Sequence, residues 1–95
     1  MIRLPSLRKN SFFVWIFTLK DGEHSLRLQE SNVSGKRIIM VDDKAILEIP
    51  PRFLDTGSVH RFQVSGMPVV LEIGSNGLTF THKLWVNRRL IPVEK

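Results

Sequence analysis

Three short segments of alternating apolar and polar residues follow one another between positions 14 and 46, and they restrict the chain to an antiparallel β fold. The first break is Asp21-Gly22, a pair typical of two-residue hairpin turns because glycine adopts the positive φ of a type I′ turn. Ser34-Gly35 and Asp42-Asp43 mark the next two breaks. Residues 25–29 alternate polar and apolar, as in a strand buried on one face. The stretch therefore predicts an antiparallel meander.

Turns rich in glycine, asparagine and proline separate eight strand-forming segments between Phe12 and Val93. Short strands at this spacing are typical of an antiparallel sandwich or barrel. Pro50-Pro51 interrupts the series and predicts a crossover between two halves, because proline donates no ladder hydrogen bond. The expected fold class is all-β, an antiparallel β-sandwich of about eight short strands in two pseudo-repeated four-stranded halves.

An offset of 45 residues supports the two halves, since it places Val14 on Val59, Leu26 on Leu71 and Val41 on Val86. Four strands are too few to bury an apolar face alone, so the halves are expected to pack face to face. Trp15 and Phe17 are expected to point inward and Ile16 outward. The rest of the predicted core is Val14, Leu19, Leu26, Leu28, Ile39, Val41, Ile46, Phe62, Val64, Leu71, Ile73, Leu84 and Val86.

Ninety-five residues predict one domain, which we expect to be a basic N-terminal arm over residues 1–11 and a single β-sandwich domain over residues 12–95. The arm carries Arg3, Arg8 and Lys9 and no acidic residue. It is interpreted as a solvated tail, a contact for an anionic partner or part of an organelle-targeting signal. The expected location is cytoplasmic, with an organelle as the alternative.

No pattern of catalytic or metal-binding residues stands out. The chain has no cysteine, which excludes disulfides, thiolate metal sites and cysteine catalysis. The histidines His24, His60 and His82 lack the spacing of a zinc site, and no serine lies in a Gly-x-Ser-x-Gly elbow. No apolar run approaches the roughly 18–20 residues of a membrane span. The sequence predicts a protein without enzymatic activity, metal, cofactor or transmembrane segment.

Two interaction surfaces are predicted. Residues 12–17 are apolar on both faces of a strand, which predicts either cover from elsewhere in the chain or docking of a protein partner through Phe13 and Ile16. Basic residues outside the core pattern predict a surface for an anionic partner such as RNA or an acidic protein. This second surface is expected to contain Arg3, Arg8, Lys9, Lys36, Arg37, Lys83, Arg88 and Arg89.

Several motifs in order resemble the Fas apoptotic inhibitory molecule family. They are Val14-Trp15, Asp21-Gly22-Glu23-His24, Ser34-Gly35-Lys36-Arg37, Val41-Asp42-Asp43-Lys44 and the closing segment from His82 to Pro92. The chain resembles a single-module relative of that family. The resemblance implies a non-enzymatic β-sandwich adaptor that regulates apoptosis and cell survival through protein contacts, with partners that the sequence does not name.

Two further interpretations remain open. One is a small structural subunit of a large cytoplasmic or organellar assembly, with a ribonucleoprotein among the candidates. Nucleic acid is not the favoured partner, because no RNA-binding signature with interleaved aromatic residues is present. The other is a glycan-binding sandwich, which is disfavoured because Trp15 and Trp85 both fit strand-core positions.

Overall fold

The computed structural model describes residues 10–31, 34–50, 57–75 and 79–94. Eight strands occupy them: β1 (Asn10–Leu19), β2 (Gly22–Ser31), β3 (Arg37–Val41), β4 (Lys44–Ile49), β5 (Gly57–Val64), β6 (Met67–Ser75), β7 (Phe80–Val86) and β8 (Arg89–Ile91). The predicted all-β fold is confirmed. Within the described ranges, no helix is long and apolar enough to cross a membrane.

The strands form two antiparallel four-stranded sheets, ordered β1-β2-β3-β4 and β5-β6-β7-β8. Each sheet is one continuous half of the chain, which confirms the two pseudo-repeated halves. β1 begins at Asn10, so residues 10 and 11 of the predicted arm belong to the first sheet. The rest of the arm, residues 1–9, and residues 51–56 of the predicted crossover lie outside the described residues.

The tight turns repeat in the two halves. Asp42-Asp43 between β3 and β4 has φ angles of 51° and 67°, and Asn87-Arg88 between β7 and β8 has 48° and 68°. Two consecutive positive φ angles are those of a type I′ turn. The predicted type I′ turn at Asp21-Gly22 is wrong, because Lys20 and Asp21 form the loop while Gly22 already pairs with Leu19.

The core lies between the two sheets and takes residues from both. Trp15 and Phe17 point inward from β1, as predicted. Its buried members are Trp15, Phe17, Leu26, Leu28, Ile39, Ile49, Val64, Val69, Leu71, Ile73, Leu84 and Val86. Leu26 and Leu71, which the 45-residue offset relates, are both fully buried, so equivalent positions of the two halves contribute to one shared core.

Three predicted core positions are wrong. Val14 lies opposite Arg27 and shares the outer face of the first sheet with Ile16. Ile46 is 44% exposed, because Ile39 pairs with Leu47 and Met40 with Ala45, which leaves Ile46 as the extra residue of a β-bulge. Trp85 is half-buried on the outer face of the second sheet, opposite Val70 and Leu90.

The chain that follows β8 returns to the first sheet. The backbone N–H of Glu94 donates a hydrogen bond to the carbonyl oxygen of Val14, at 2.6 Å. β1 is an edge strand of its sheet, and edge strands present unpaired backbone groups that can pair with other chains. The C-terminal segment therefore satisfies part of this edge and leaves the outer side-chain face of β1 open.

Candidate functional site

The outer face of β1 carries an exposed row of apolar side chains. Phe12 is 50% exposed and Ile16 is 41% exposed, and Val14 lies half-buried between them. Across the strand pair, Val14 lies opposite Arg27 and Ile16 opposite Ser25, so polar residues border the row. We call Phe12, Val14 and Ile16 the β1 row. Exposed contiguous apolar residues of this kind mark sites of protein association.

Phe13 does not belong to that surface. Its ring packs against the core and stacks on the imidazole of His82, with 3.9 Å between ring centroids. Side chains alternate between the faces of a strand, so Phe13 shares the inner face with Trp15, two residues further on. The structure therefore separates the two residues predicted to dock a partner, and Phe12 takes the place of Phe13 beside Ile16.

The predicted anionic-partner residues do not form one surface. Arg37 is 3% exposed and its Nε donates to Glu30 Oε2, so it is removed from the predicted surface. The ammonium group of Lys36 pairs with the carboxylate of Glu48. The exposed residues Arg88 and Arg89 lie at the β7–β8 turn, and Lys83 lies in β7 on the second sheet. Arg3, Arg8 and Lys9 lie outside the described residues.

A buried ionic contact joins the sheets near one end of the sandwich. Glu30 on β2 accepts from Arg37 Nε on β3 at 2.5 Å, and it lies 2.9 Å from His82 Nε2 on β7 of the other sheet. We call these three residues the Glu30 cluster. Burial of Glu30 raises the pKa of its carboxyl group, but the hydrogen bonds from His82 and Arg37 outweigh it and hold that pKa below its ordinary value. The carboxylate is therefore charged at neutral pH.

A second polar contact joins the sheets at the opposite end. His24 Nε2 lies 2.7 Å from Asp21 Oδ1, and His24 Nδ1 lies 2.7 Å from Asp42 Oδ2. Ser65, in the β5–β6 turn of the second sheet, donates its hydroxyl hydrogen to Asp21 Oδ2 at 2.5 Å. We call these four residues the His24 cluster. It fixes three turns of the two sheets to one another.

The two carboxylates favour the charged imidazolium of His24. Hydrogen bonds to Asp21 and Asp42 raise the pKa of His24 above its ordinary value. The hydrogen bond with His24, followed by that from Ser65, lowers the pKa of Asp21. For Asp42, the N–H of Ser25 lowers the pKa most and His24 adds to it. The cluster is most stable with both carboxylates ionised and the imidazole protonated.

Ser65, His24 and Asp42 resemble the members of a catalytic triad, but their arrangement opposes that chemistry. Ser65 Oγ lies 3.4 Å from His24 Nε2, while that nitrogen lies 2.7 Å from Asp21. A general base must be neutral to take the proton of a serine. Here Asp21 accepts the hydroxyl hydrogen of Ser65 and, with Asp42, raises the pKa of His24, which favours the charged form of the imidazole. The geometry suits a structural contact between turns.

The His24 cluster predicts a stability optimum on the acidic side of neutral. The contribution of His24 is complete below the ordinary pKa of 6.5 and is lost as pH rises through the raised pKa. The contributions of Asp21 and Asp42 are complete above the ordinary pKa of 3.8 and are lost as pH falls through the lowered values. Glu30 behaves in the same way above its ordinary pKa of 4.5. Urea unfolding between pH 3 and pH 9 should therefore give the greatest free energy of unfolding at about pH 4.5–6.5.

His24→Gln is the matched control for this pH dependence, since it retains an amide that can hydrogen-bond Asp21 but cannot carry a charge. The variant should lose the decline in stability that is predicted for the wild type above pH 6.5. His60 and His82 are present in both proteins, so their contributions cancel in the comparison. Parallel profiles of wild type and variant above that pH would contradict the assigned role of His24.

No metal-binding group of three histidine, aspartate or glutamate side chains occurs in the described part of the chain. In the His24 cluster, the two ring nitrogens point to different carboxylates, so the donors do not converge on one position. His60 Nε2 lies 2.7 Å from Ser58 Oγ, in the same strand. The three histidines therefore take part in three separate contacts.

One concave surface was not predicted from the sequence. The outer face of the second sheet forms an open depression of about 680 Å³. Its apolar wall consists of Val59, Pro68, Val70 and Trp85, and Arg61 and Arg88 also line it. The sequence contains one signal for this surface. Val70 lies between Val69 and Leu71, which are buried, so side-chain alternation places Val70 on the outer face, where it lies opposite Trp85.

The sequence of the chain matches one protein-family model. The sequence model described as Fas apoptotic inhibitory molecule (FAIM1) matches residues 11–92, which include all eight strands apart from the first residue of β1. Comparison with curated proteins gives no match. The matched range contains the β1 row, the Glu30 cluster and the His24 cluster. The chain belongs to the Fas apoptotic inhibitory molecule family.

Proposed function

We propose that this chain is a non-catalytic protein-interaction module that promotes cell survival by docking a protein partner on the β1 row. The single observation that carries the proposal is the exposure of Phe12 and Ile16, 50% and 41%, on a sheet face that the C-terminal segment leaves open. Membership of the Fas apoptotic inhibitory molecule family supports survival regulation as the process.

Leaving the apolar side chains of the β1 row in water costs free energy. Burying apolar surface contributes roughly 25 cal/mol per Å², and aromatic residues dominate the energy of many interfaces. The backbone of Phe12 and Ile16 is held by strand pairing with β2, so a partner would need to order only their side chains. Their burial by an apolar partner surface would therefore contribute directly to affinity.

The test is a survival assay in cells exposed to a death-receptor ligand. Expression of the wild-type chain should raise survival, and the double variant Phe12→Ser/Ile16→Ser should lose most of that effect. Ile46→Ser is the matched control, because Ile46 is 44% exposed in the β4 bulge of the same sheet. Circular dichroism should show that all three proteins are folded, since surface substitutions usually change stability by only about 0.5 kcal/mol.

Three results separate the parts of the proposal. Full protection by the double variant would remove the β1 row as the docking surface. No protection by the wild type would remove the survival role, and elution of the chain from a native lysate in a salt-stable megadalton fraction would then favour the assembly subunit. Loss of protection in Ser65→Ala, with an unchanged fold, would contradict a non-catalytic role, because Ser65 Oγ lies 3.4 Å from His24 Nε2, and His24 in turn contacts Asp42.

A further inference from the structure

The depression on the second sheet has a fixed aromatic residue at its wall. The indole Nε1–H of Trp85 donates a hydrogen bond to Glu72 Oε1 at 3.1 Å, which satisfies the polar atom of the ring. Trp85 lies between Val70 and Leu90 across three strands, and Leu90 is 53% exposed. A tryptophan whose N–H is already bonded offers its apolar ring surface to a ligand.

The charges around the depression are not balanced. Arg61 and Arg88 line it, and Lys83 lies on the same face, opposite Glu72. Within the described ranges, none of these three cations has an ion-pair partner. Glu72 is the carboxylate in the wall, and its Oε1 accepts the Trp85 hydrogen bond. The surface therefore combines an apolar wall with an excess of positive charge.

Arg88 occupies a backbone position that costs energy. Its φ is 68°, in the left-handed region where a glycine would be favoured after Asn87. A non-glycine residue in this region stores strain, as Asp43 does at the equivalent type I′ turn of the other sheet. The strained turn positions the Arg88 side chain at the depression.

We propose that this depression binds a short acidic segment of another protein, with one aromatic or aliphatic side chain against Trp85 and carboxylates paired with Arg61 and Arg88. About 680 Å³ is within the size of sites that hold a few residues of a ligand. A single-stranded nucleic acid is less suited, because such ligands use successive aromatic platforms and Trp85 is one ring. A neutral glycan would leave the unpaired cations without a partner.

The inference goes beyond the proposed function, because it concerns the opposite face of the sandwich. The β1 row lies on the outer face of the first sheet, and Trp85 lies on the outer face of the second. Either surface can fail its test while the other stands. A chain with both surfaces would connect two protein partners, one held by apolar contacts and one held by charge.

The probes for the test are eight-residue peptides in which one phenylalanine, leucine or tryptophan is flanked by aspartate and glutamate. Their controls carry asparagine and glutamine at the same positions. The chain has two tryptophans, so a ¹H–¹⁵N spectrum contains two indole signals. The Trp85 signal should shift saturably with the acidic peptides, and the signal of Trp15, which is fully buried, should serve as the internal reference. Raising the salt concentration should weaken binding, because exposed charges are screened.

Two variants test the basic residues. R61E should weaken binding of the acidic peptides by about tenfold or more, since reversal of a charge at the edge of a site opposes the ligand. R88G should raise the melting temperature, because glycine relieves the left-handed strain, and it should also weaken peptide binding. D43G is the matched control, since Asp43 has φ of 67° at the equivalent turn of the other sheet. It should raise the melting temperature and leave binding unchanged.

The proposal would be overturned by three results. One is the absence of any saturable Trp85 shift with all the acidic peptides. A second is equal binding of the acidic and amide peptides, which would remove the charge argument. A third is binding that R61E and R88G leave unchanged. If the first result is accompanied by a Trp85 shift with a ten-nucleotide single-stranded DNA, the depression would be assigned to nucleic acid instead.

Discussion

Trp15→Ala is expected to lower the free energy of unfolding by about 3–5 kcal/mol, the range for removal of a fully buried large aromatic side chain. Trp15 has no exposed surface, pairs opposite Leu26 and stacks with Phe13 at 6.4 Å between ring centroids. A domain of 95 residues has a total stability of about 5–14 kcal/mol, so the loss should be visible as a large fall in the urea midpoint.

Phe12→Ala is the control for that measurement. Phe12 lies in the same strand three residues away but is 50% exposed on the outer face. Its removal should cost less than about 1 kcal/mol. Equal losses for the two variants would mean that β1 does not bury Trp15 between the sheets, and the assignment of faces in the first sheet would then be wrong.

Glu30→Gln is expected to lower the free energy of unfolding by about 3 kcal/mol. The substitution keeps the shape of the side chain and removes the charge that Arg37 and His82 both contact. The Arg37 side chain is 4% exposed and that of Glu30 is 13% exposed, so little water is available to replace the carboxylate. Because Glu30 keeps some contact with water, the expected loss of free energy lies at the lower end of the range for breaking a buried ion pair.

Glu48→Gln is the matched control, because it removes a carboxylate from an exposed pair with Lys36 on the same sheet. The side chains of that pair are 43% and 62% exposed. Surface ion pairs contribute about 0–1 kcal/mol. Urea unfolding at pH 6 gives the free energy of unfolding that each variant loses. The loss should be larger for Glu30→Gln, whose carboxylate joins the two sheets, than for Glu48→Gln, whose carboxylate does not. Similar losses would contradict the structural role of the Glu30 cluster.

The residues of the candidate surfaces could be predicted from the sequence only in part. Charge pointed to Lys83 and Arg88, which the structure places on the same sheet as Trp85. Arg37 looked equally basic in the sequence, but the fold buries it against Glu30. Charge alone does not reveal whether a basic side chain meets a carboxylate, because the partner comes from another strand.

The sequence by itself determined the strands, the two halves and the resemblance to the Fas apoptotic inhibitory molecule family. Alternation such as that of Leu26 and Leu28 depends on neighbouring residues alone, and the 45-residue offset repeats it in the second half. Turn positions such as Asp42-Asp43 are local in the same way. These features follow from backbone geometry over a few residues, which a sequence records directly.

Only the tertiary structure decided which polar residues form hydrogen bonds between the two sheets and which apolar residues lie on the outer faces. Glu30 and His82 are separated by 52 positions, and Asp21 and Ser65 by 44, yet both pairs join the sheets. The bulge that exposes Ile46 depends on the register between β3 and β4. Trp85 is on the outer face because the inner-face positions of β7 are held by Leu84 and Val86. Strand register and sheet packing settle these contacts, because they join residues that are distant along the chain.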